Sequence, residues 1–131
     1  MIKILIDHNI EGQAKLLWDT FKNTGLLELC ETEFVMFGDV GLEININDRQ
    51  LWHFAQNNQM LLLTDNRSDN EEDSLEQTIR QENMPTSLPI LTVGKISRMN
   101  KRLYREQCTE RIAEIILELK NYQGTGRIFI P

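Results

Sequence analysis

Short apolar runs and segments of helical spacing alternate along this chain, and that alternation restricts its fold more than any single residue does. Ile2–Ile6 is a compact apolar run, the pattern of a strand buried on both faces. Ala14, Leu17, Trp18 and Phe21 then stand at i, i+3, i+4 and i+7, one stripe of a helix, with Gly25 as its stop. Glu33–Phe37 reads as a second strand ending at Gly38, and Gly38–Asn47 as a loop. Asn47 or Asp48 can cap a helix that carries Leu51, Phe54 and Ala55 and closes at Asn57 and Asn58. Met60–Leu63 is a further apolar run, expected to be a central strand, and Thr64, Asp65 and Asn66 close it. A helix over Ser74–Glu82, a turn bracketed by Pro85 and Pro89, and a strand within Leu88–Val93 follow. Ile112, Ile115, Ile116 and Leu119 mark the last helix, and Gly124 and Gly126 interrupt the chain before a closing strand at Ile128–Ile130. Repeated βα units predict a three-layer α/β/α sandwich with a mainly parallel central sheet of about four or five strands.

The 131 residues suit a single domain, expected over 1–131. A chain of this size buries about two thirds of its unfolded surface and needs no covalent staple. Cys30 and Cys108 lie too far apart in sequence for a C-x-x-C pair, which fits a reducing compartment. The opening apolar run is too short for a signal peptide, and no stretch is long enough to span a membrane, so a cytoplasmic location is expected. The net charge of −6 argues against a protein that merely coats nucleic acid. It leaves room for a nuclease, whose acidic metal site adds negative charge.

Ligands of open parallel sheets bind beyond the carboxyl ends of the strands. Two expected strands run directly into aspartate there, Ile2–Ile6 into Asp7 and Met60–Leu63 through Thr64 into Asp65. Asp48, at a helix start, belongs to the same edge, because helices of a parallel sheet begin where strands end. Taken singly, Asp7 and Asp65 read as turn residues and Asp48 as a helix cap. Taken together, three carboxylates in one crevice repel unless a cation intervenes. Mg²⁺ or Mn²⁺ suits such oxygen donors, and the chemistry it implies is phosphodiester hydrolysis.

These segments resemble a known family. Lys3-Ile4-Leu5-Ile6-Asp7-His8-Asn9 resembles the K-x-L-h-D-E-N opening of bacterial PIN-like proteins, where h is any apolar residue. Asp48 to Ala55 resembles their D-x-x-h-x-x-x-A helix, and Leu61 to Asn66 their strand end in T-x-D or T-D. The three pieces come in the family's order and cover roughly the first half of the chain. PIN domains are Mg²⁺- or Mn²⁺-dependent ribonucleases, and many are toxins held by an antitoxin. The resemblance therefore implies a PIN-like fold, single-stranded RNA as substrate and an antitoxin or other protein partner. It assigns Asp7, Asp48 and Asp65 as the acidic core, with Asn9 and Asn66 as polar supports. His8 stands where the family usually carries glutamate, and Arg67 where another acid often follows. Asp69 or Asp73 would then supply the late metal ligand from the loop.

Asp69, Glu71, Glu72, Asp73 and Glu76 otherwise read as a solvated face suited to a helix start. Arg98, Lys101, Arg102 and Arg105 form a basic stretch without an acid, the best candidate for holding an RNA backbone, with Tyr104 inside it able to stack on a base. Its bland reading is a solvated helix start, and facing acidic and basic patches could also join two copies in a homodimer. His8 is a candidate general acid or ligand; His53 reads as structural. No G-x-S-x-G elbow, P-loop or zinc-type Cys/His spacing occurs. The alternative reading, motivated by His8 and Arg67, is a catalytically silent scaffold that binds a protein partner. A receiver-like domain fits less well, because it lacks paired acids after the first strand.

Overall fold

The computed structural model describes residues Met1–Pro131. Five strands form one sheet: β1 (Ile2–Ile6), β2 (Thr32–Val35), β3 (Leu61–Thr64), β4 (Ile90–Val93) and β5 (Arg127–Ile130). Seven helices connect them: α1 (Glu11–Asn23), α2 (Leu26–Cys30), α3 (Phe37–Val40), α4 (Asp48–Asn57), α5 (Leu75–Glu82), α6 (Arg102–Leu117) and α7 (Leu119–Tyr122). All four strand pairings are parallel, in the order β2-β1-β3-β4-β5. The expected α/β sandwich is the fold, with every strand parallel.

Alternation along the central strands divides the core into two layers. Ile4 and Ile6 of β1 and Leu61 and Leu63 of β3 face α1 and α6, whose Leu17, Phe21, Ile112 and Ile115 close that side. Leu5 and Leu62 point the other way, onto Leu51, Trp52 and Ala55 of α4 and Leu75 and Ile79 of α5. Successive side chains of a strand leave opposite faces, so a strand covered on both sides must be apolar throughout. Each fully buried leucine of this kind contributes about 1.5–3 kcal/mol.

The segment boundaries depart most from the sequence reading at the second strand, after Gly25 and at the last long helix. The second strand is Thr32–Val35, in register with β1 from Ile2↔Thr32 to Leu5↔Val35. Phe37 leaves it because the Asp39 carboxylate accepts from the Met36 amide at 2.9 Å, turning the chain into α3, which Gly41 ends at φ 70°. Gly25 does stop α1, at φ 81°, but the chain re-enters a helix at once and buries Cys30. The last long helix begins at Arg102 and stops before Leu119, which opens the separate α7 after Glu118 leaves helical geometry at φ −125°. No helix is long and apolar enough to cross a membrane.

From β1 the sheet grows outward on one side to β2, and from β3 on the other side to β4 and β5. The gap between β1 and β3 is thus the point where the winding reverses, and crevices form there beyond the carboxyl ends of the strands.

Candidate functional site

Asp7 leaves β1 at this reversal point. Its amide donates to the Leu63 carbonyl at 2.9 Å, extending the β1–β3 pairing by one bond. The side chain is only 7% exposed. Its Oδ1 accepts from the Asn9 amide at 3.2 Å, starting a 3-10 turn over His8–Ile10. Its Oδ2 accepts from the Thr64 hydroxyl at 2.6 Å, across from the last residue of β3. Burial pushes the Asp7 carboxyl above its usual range. The bonds from Thr64 and Asn9 oppose that shift, and the charges of Asp65 and Asp48 add to it. Asp65 and Asp48 therefore both lie within electrostatic reach of Asp7 at one edge of the sheet.

Asn47, rather than Asp48, caps α4: its Oδ1 accepts from the Gln50 amide at 2.8 Å. Asp48 is thereby released for tertiary contacts. Its Oδ2 accepts from the Leu75 amide at 3.1 Å, at the first residue of α5, where the helix dipole also favours an anion. The same oxygen accepts from Asn66 Nδ2 at 2.9 Å. Asn66 is fixed in turn, because its own amide donates to Thr64 Oγ1 at 3.0 Å and its Oδ1 accepts from the Ser68 amide at 2.9 Å. Asp65 sits half-buried between Thr64 and Asn66. Asn9 supports Asp7 through its backbone; its side chain is exposed.

The remaining predicted residues are placed apart from this group or differently from expectation. Asp73 is turned to Arg49, which bonds it at 2.8 Å and also reaches Glu82, Gln81 and the Glu72 carbonyl, pinning the loop to α4 and α5. Asp69 lies on the exposed loop, where its carbonyl accepts from Gln77 at 3.2 Å. His8 Nδ1 is 3.2 Å from Glu11, whose other oxygen accepts from the Phe37 amide. Arg98, Lys101 and Arg102 are exposed and adjoin one shallow surface depression, with Leu103, Tyr104 and Gln107. They follow the carboxyl end of β4, so they stand on the acidic edge of the sheet. Two members of the basic stretch face inward instead. Arg105 bonds Thr20 Oγ1 and the Met99 carbonyl, both at 3.0 Å, tying α6 to α1. Tyr104 is 7% exposed, and its hydroxyl accepts from the Lys95 amide at 3.0 Å and donates to the Pro131 carbonyl at 2.9 Å. A ring so enclosed offers no stacking face, which corrects that expectation.

Sequence reasoning missed two groups. Thr64 was read only as part of a motif, yet a lone hydroxyl closing a fully buried apolar run had to find a partner. Arg127, the first residue of β5, reaches the Asn66 carbonyl and Thr92 Oγ1, each at 2.8 Å. The largest concavity lies elsewhere, at the opposite edge of the sheet, lined by Ile2, His53, Gln56, Asn83 and Leu88 among others. It contains none of the three aspartates.

Chemically, the edge offers oxygen donors of negative charge, suited to a hard divalent cation. No three His, Cys, Asp or Glu side chains are spaced to share one metal ion. No family model matches the chain, and neither a curated protein nor a solved structure matches it.

Proposed function

We propose that this chain is a metal-dependent ribonuclease of PIN-like type, hydrolysing phosphodiester bonds of single-stranded RNA in a toxin–antitoxin or RNA-processing setting. One observation carries the reading: at the point where the sheet reverses its winding, burial raises the pKa of the Asp7 carboxyl and the charges of Asp65 and Asp48 add to that shift. Three like charges gathered there without a matching cationic side chain call for a cation. Mg²⁺ or Mn²⁺, when bound, supplies Lewis-acid stabilisation of the phosphate and a water acidic enough to attack. Asp7 and Asp65 would hold that ion from the two strand ends. Asp48 would face it with the oxygen opposite the one that Asn66 and the Leu75 amide already occupy. Arg98, Lys101 and Arg102 would hold the RNA backbone on the same edge.

The test is incubation of the protein with labelled single-stranded RNA in Mn²⁺, Mg²⁺ or EDTA, beside Asp65→Asn. Cleavage that needs metal and vanishes in the variant supports the reading. Cleavage equal in the variant, or none at all, refutes it. A second reading is favoured by the lack of three ligating side chains at metal-sharing distance and by the chain donors already on both Asp7 oxygens. It is a catalytically silent scaffold that binds a protein partner, and it predicts no response to metal.

A further inference from the structure

Arg127 opens the edge strand β5, yet its side chain is only 10% exposed. Burial lowers its pKa from the usual arginine value, Glu76 opposes that, and the neighbouring Arg67 adds to it. A buried guanidinium is costly, and an apolar side chain of similar volume often serves stability as well or better. The charge therefore needs another explanation, and its contacts supply one. Nε donates to Glu76 on α5 at 3.2 Å, and Nη1 donates to Thr92 Oγ1 of β4 and to the Asn66 carbonyl, both at 2.8 Å. Nη2 lies 3.2 Å from the same Glu76 oxygen without the alignment of a hydrogen bond, and is left as a buried unmatched donor. The fork is thus placed to suit Asn66 and Thr92 rather than to perfect the ion pair.

Asn66 is the residue whose side-chain amide meets Asp48. Its carbonyl is held by Arg127, its own amide by Thr64, and its Oδ1 by Ser68. We propose that Arg127 is a positioning residue that fixes the Asn66 turn and, through it, the orientation of the Asp48 carboxylate. Its consequence for metal binding rests on the function proposed above. Lysine replaces the planar fork only in part, because its donors all radiate from one nitrogen and cannot span acceptors set apart on α5, β4 and the Asn66 turn.

The test uses the whole chain. The Asn66 side-chain NH₂ signals are followed by NMR in metal-free protein, and Mn²⁺ affinity is measured by titration, for wild type, Arg127→Met and Arg127→Lys. In wild type the Asn66 pair exchanges slowly with solvent. In folded Arg127→Met it moves to the position of an exposed asparagine amide, and Mn²⁺ binding weakens at least about tenfold, the usual effect of losing a group that orients a ligand. Arg127→Lys recovers part of both. Loss of thermal stability with unchanged Asn66 signals and unchanged Mn²⁺ affinity overturns the proposal while leaving the metal site standing. If wild type binds no Mn²⁺, the metal reading falls and the Asn66 signals alone decide on Arg127. If Arg127→Met does not fold, Arg127→Lys and Thr92→Val carry the comparison. A wild-type Asn66 amide that exchanges as fast as an exposed one refutes the proposal without any variant.

Discussion

Thr64→Val is the sharpest probe of how the acidic edge is held. Valine fills the same fully buried space but removes two bonds: the hydroxyl's donation to Asp7 Oδ2 at 2.6 Å and its acceptance from the Asn66 amide at 3.0 Å. A hydrogen bond to a charged group contributes about 1.5–3 kcal/mol and a neutral one about 0.5–1.5 kcal/mol. The expected loss at pH 7.5 is therefore about 3 kcal/mol, a large share of a total stability of about 5–15 kcal/mol. The loss should depend on pH. Asp7's folded pKa lies above its ordinary value of 3.8, because burial disfavours the charged form. The folded protein then binds that proton more tightly than the unfolded chain. Asp7 favours folding below its folded pKa, and that contribution disappears as pH rises through it. Below it the bond from Thr64 becomes one between neutral groups, and the cost of valine should shrink to about 1–2 kcal/mol. Urea unfolding of both proteins, stepped from pH 7.5 to 4, measures this. A loss under about 0.5 kcal/mol at pH 7.5, or a loss that stays constant across the range, would refute the reasoning.

Three further outcomes follow from the same contacts. Asp7→Asn should raise the melting temperature at pH 7.5 by removing a buried charge that two other carboxylates repel, and the gain should fade on acidification through Asp7's raised pKa; a lower melting temperature at pH 7.5 contradicts this. Tyr104→Phe should cost about 1–2 kcal/mol in thermal unfolding, by stripping partners from the Lys95 amide and Pro131 carbonyl, and should leave RNA affinity unchanged. Burial pushes the Cys108 thiol up to about 12 and raises Cys30 as well, so neither should react with a thiol reagent in native protein at pH 8, while both react in urea.

The strands that carry the acids were legible because a buried strand is a local pattern: an unbroken apolar run with a polar stop. Ile2–Ile6 appears with the expected bounds, and Leu61–Thr64 is displaced by one residue at each end. Helices α2 and α3 were not legible, since four or five residues show no period and Gly25, Gly38 and Gly41 signal turns as readily as short helices. Asn47 and Asp48 are both good caps, and only contacts distant in sequence, from Leu75 and Asn66, separate their roles. The inward face of Tyr104 could have been found. Tyr104, Cys108, Ile112 and Ile116 continue one stripe at intervals of four, two turns ahead of the residues used to recognise the helix. Reading 98–105 as one basic surface overlooked that stripe. Arg127 left no such trace. A charge at a strand start normally faces water, and its partners lie 35, 51 and 61 residues away.

The proposed ion site, held by Asp7 and Asp65 and faced by Asp48, is tested by thermal unfolding in Mn²⁺ or Mg²⁺. A ligand bound only by the folded chain at 100 times its dissociation constant adds about 2.7 kcal/mol. Wild type should therefore melt at a temperature that climbs with metal concentration. Asp7→Asn, Asp48→Asn and Asp65→Asn should each abolish that climb while still folding. A wild-type melting temperature indifferent to metal, or a climb that survives all three substitutions, would contradict the account.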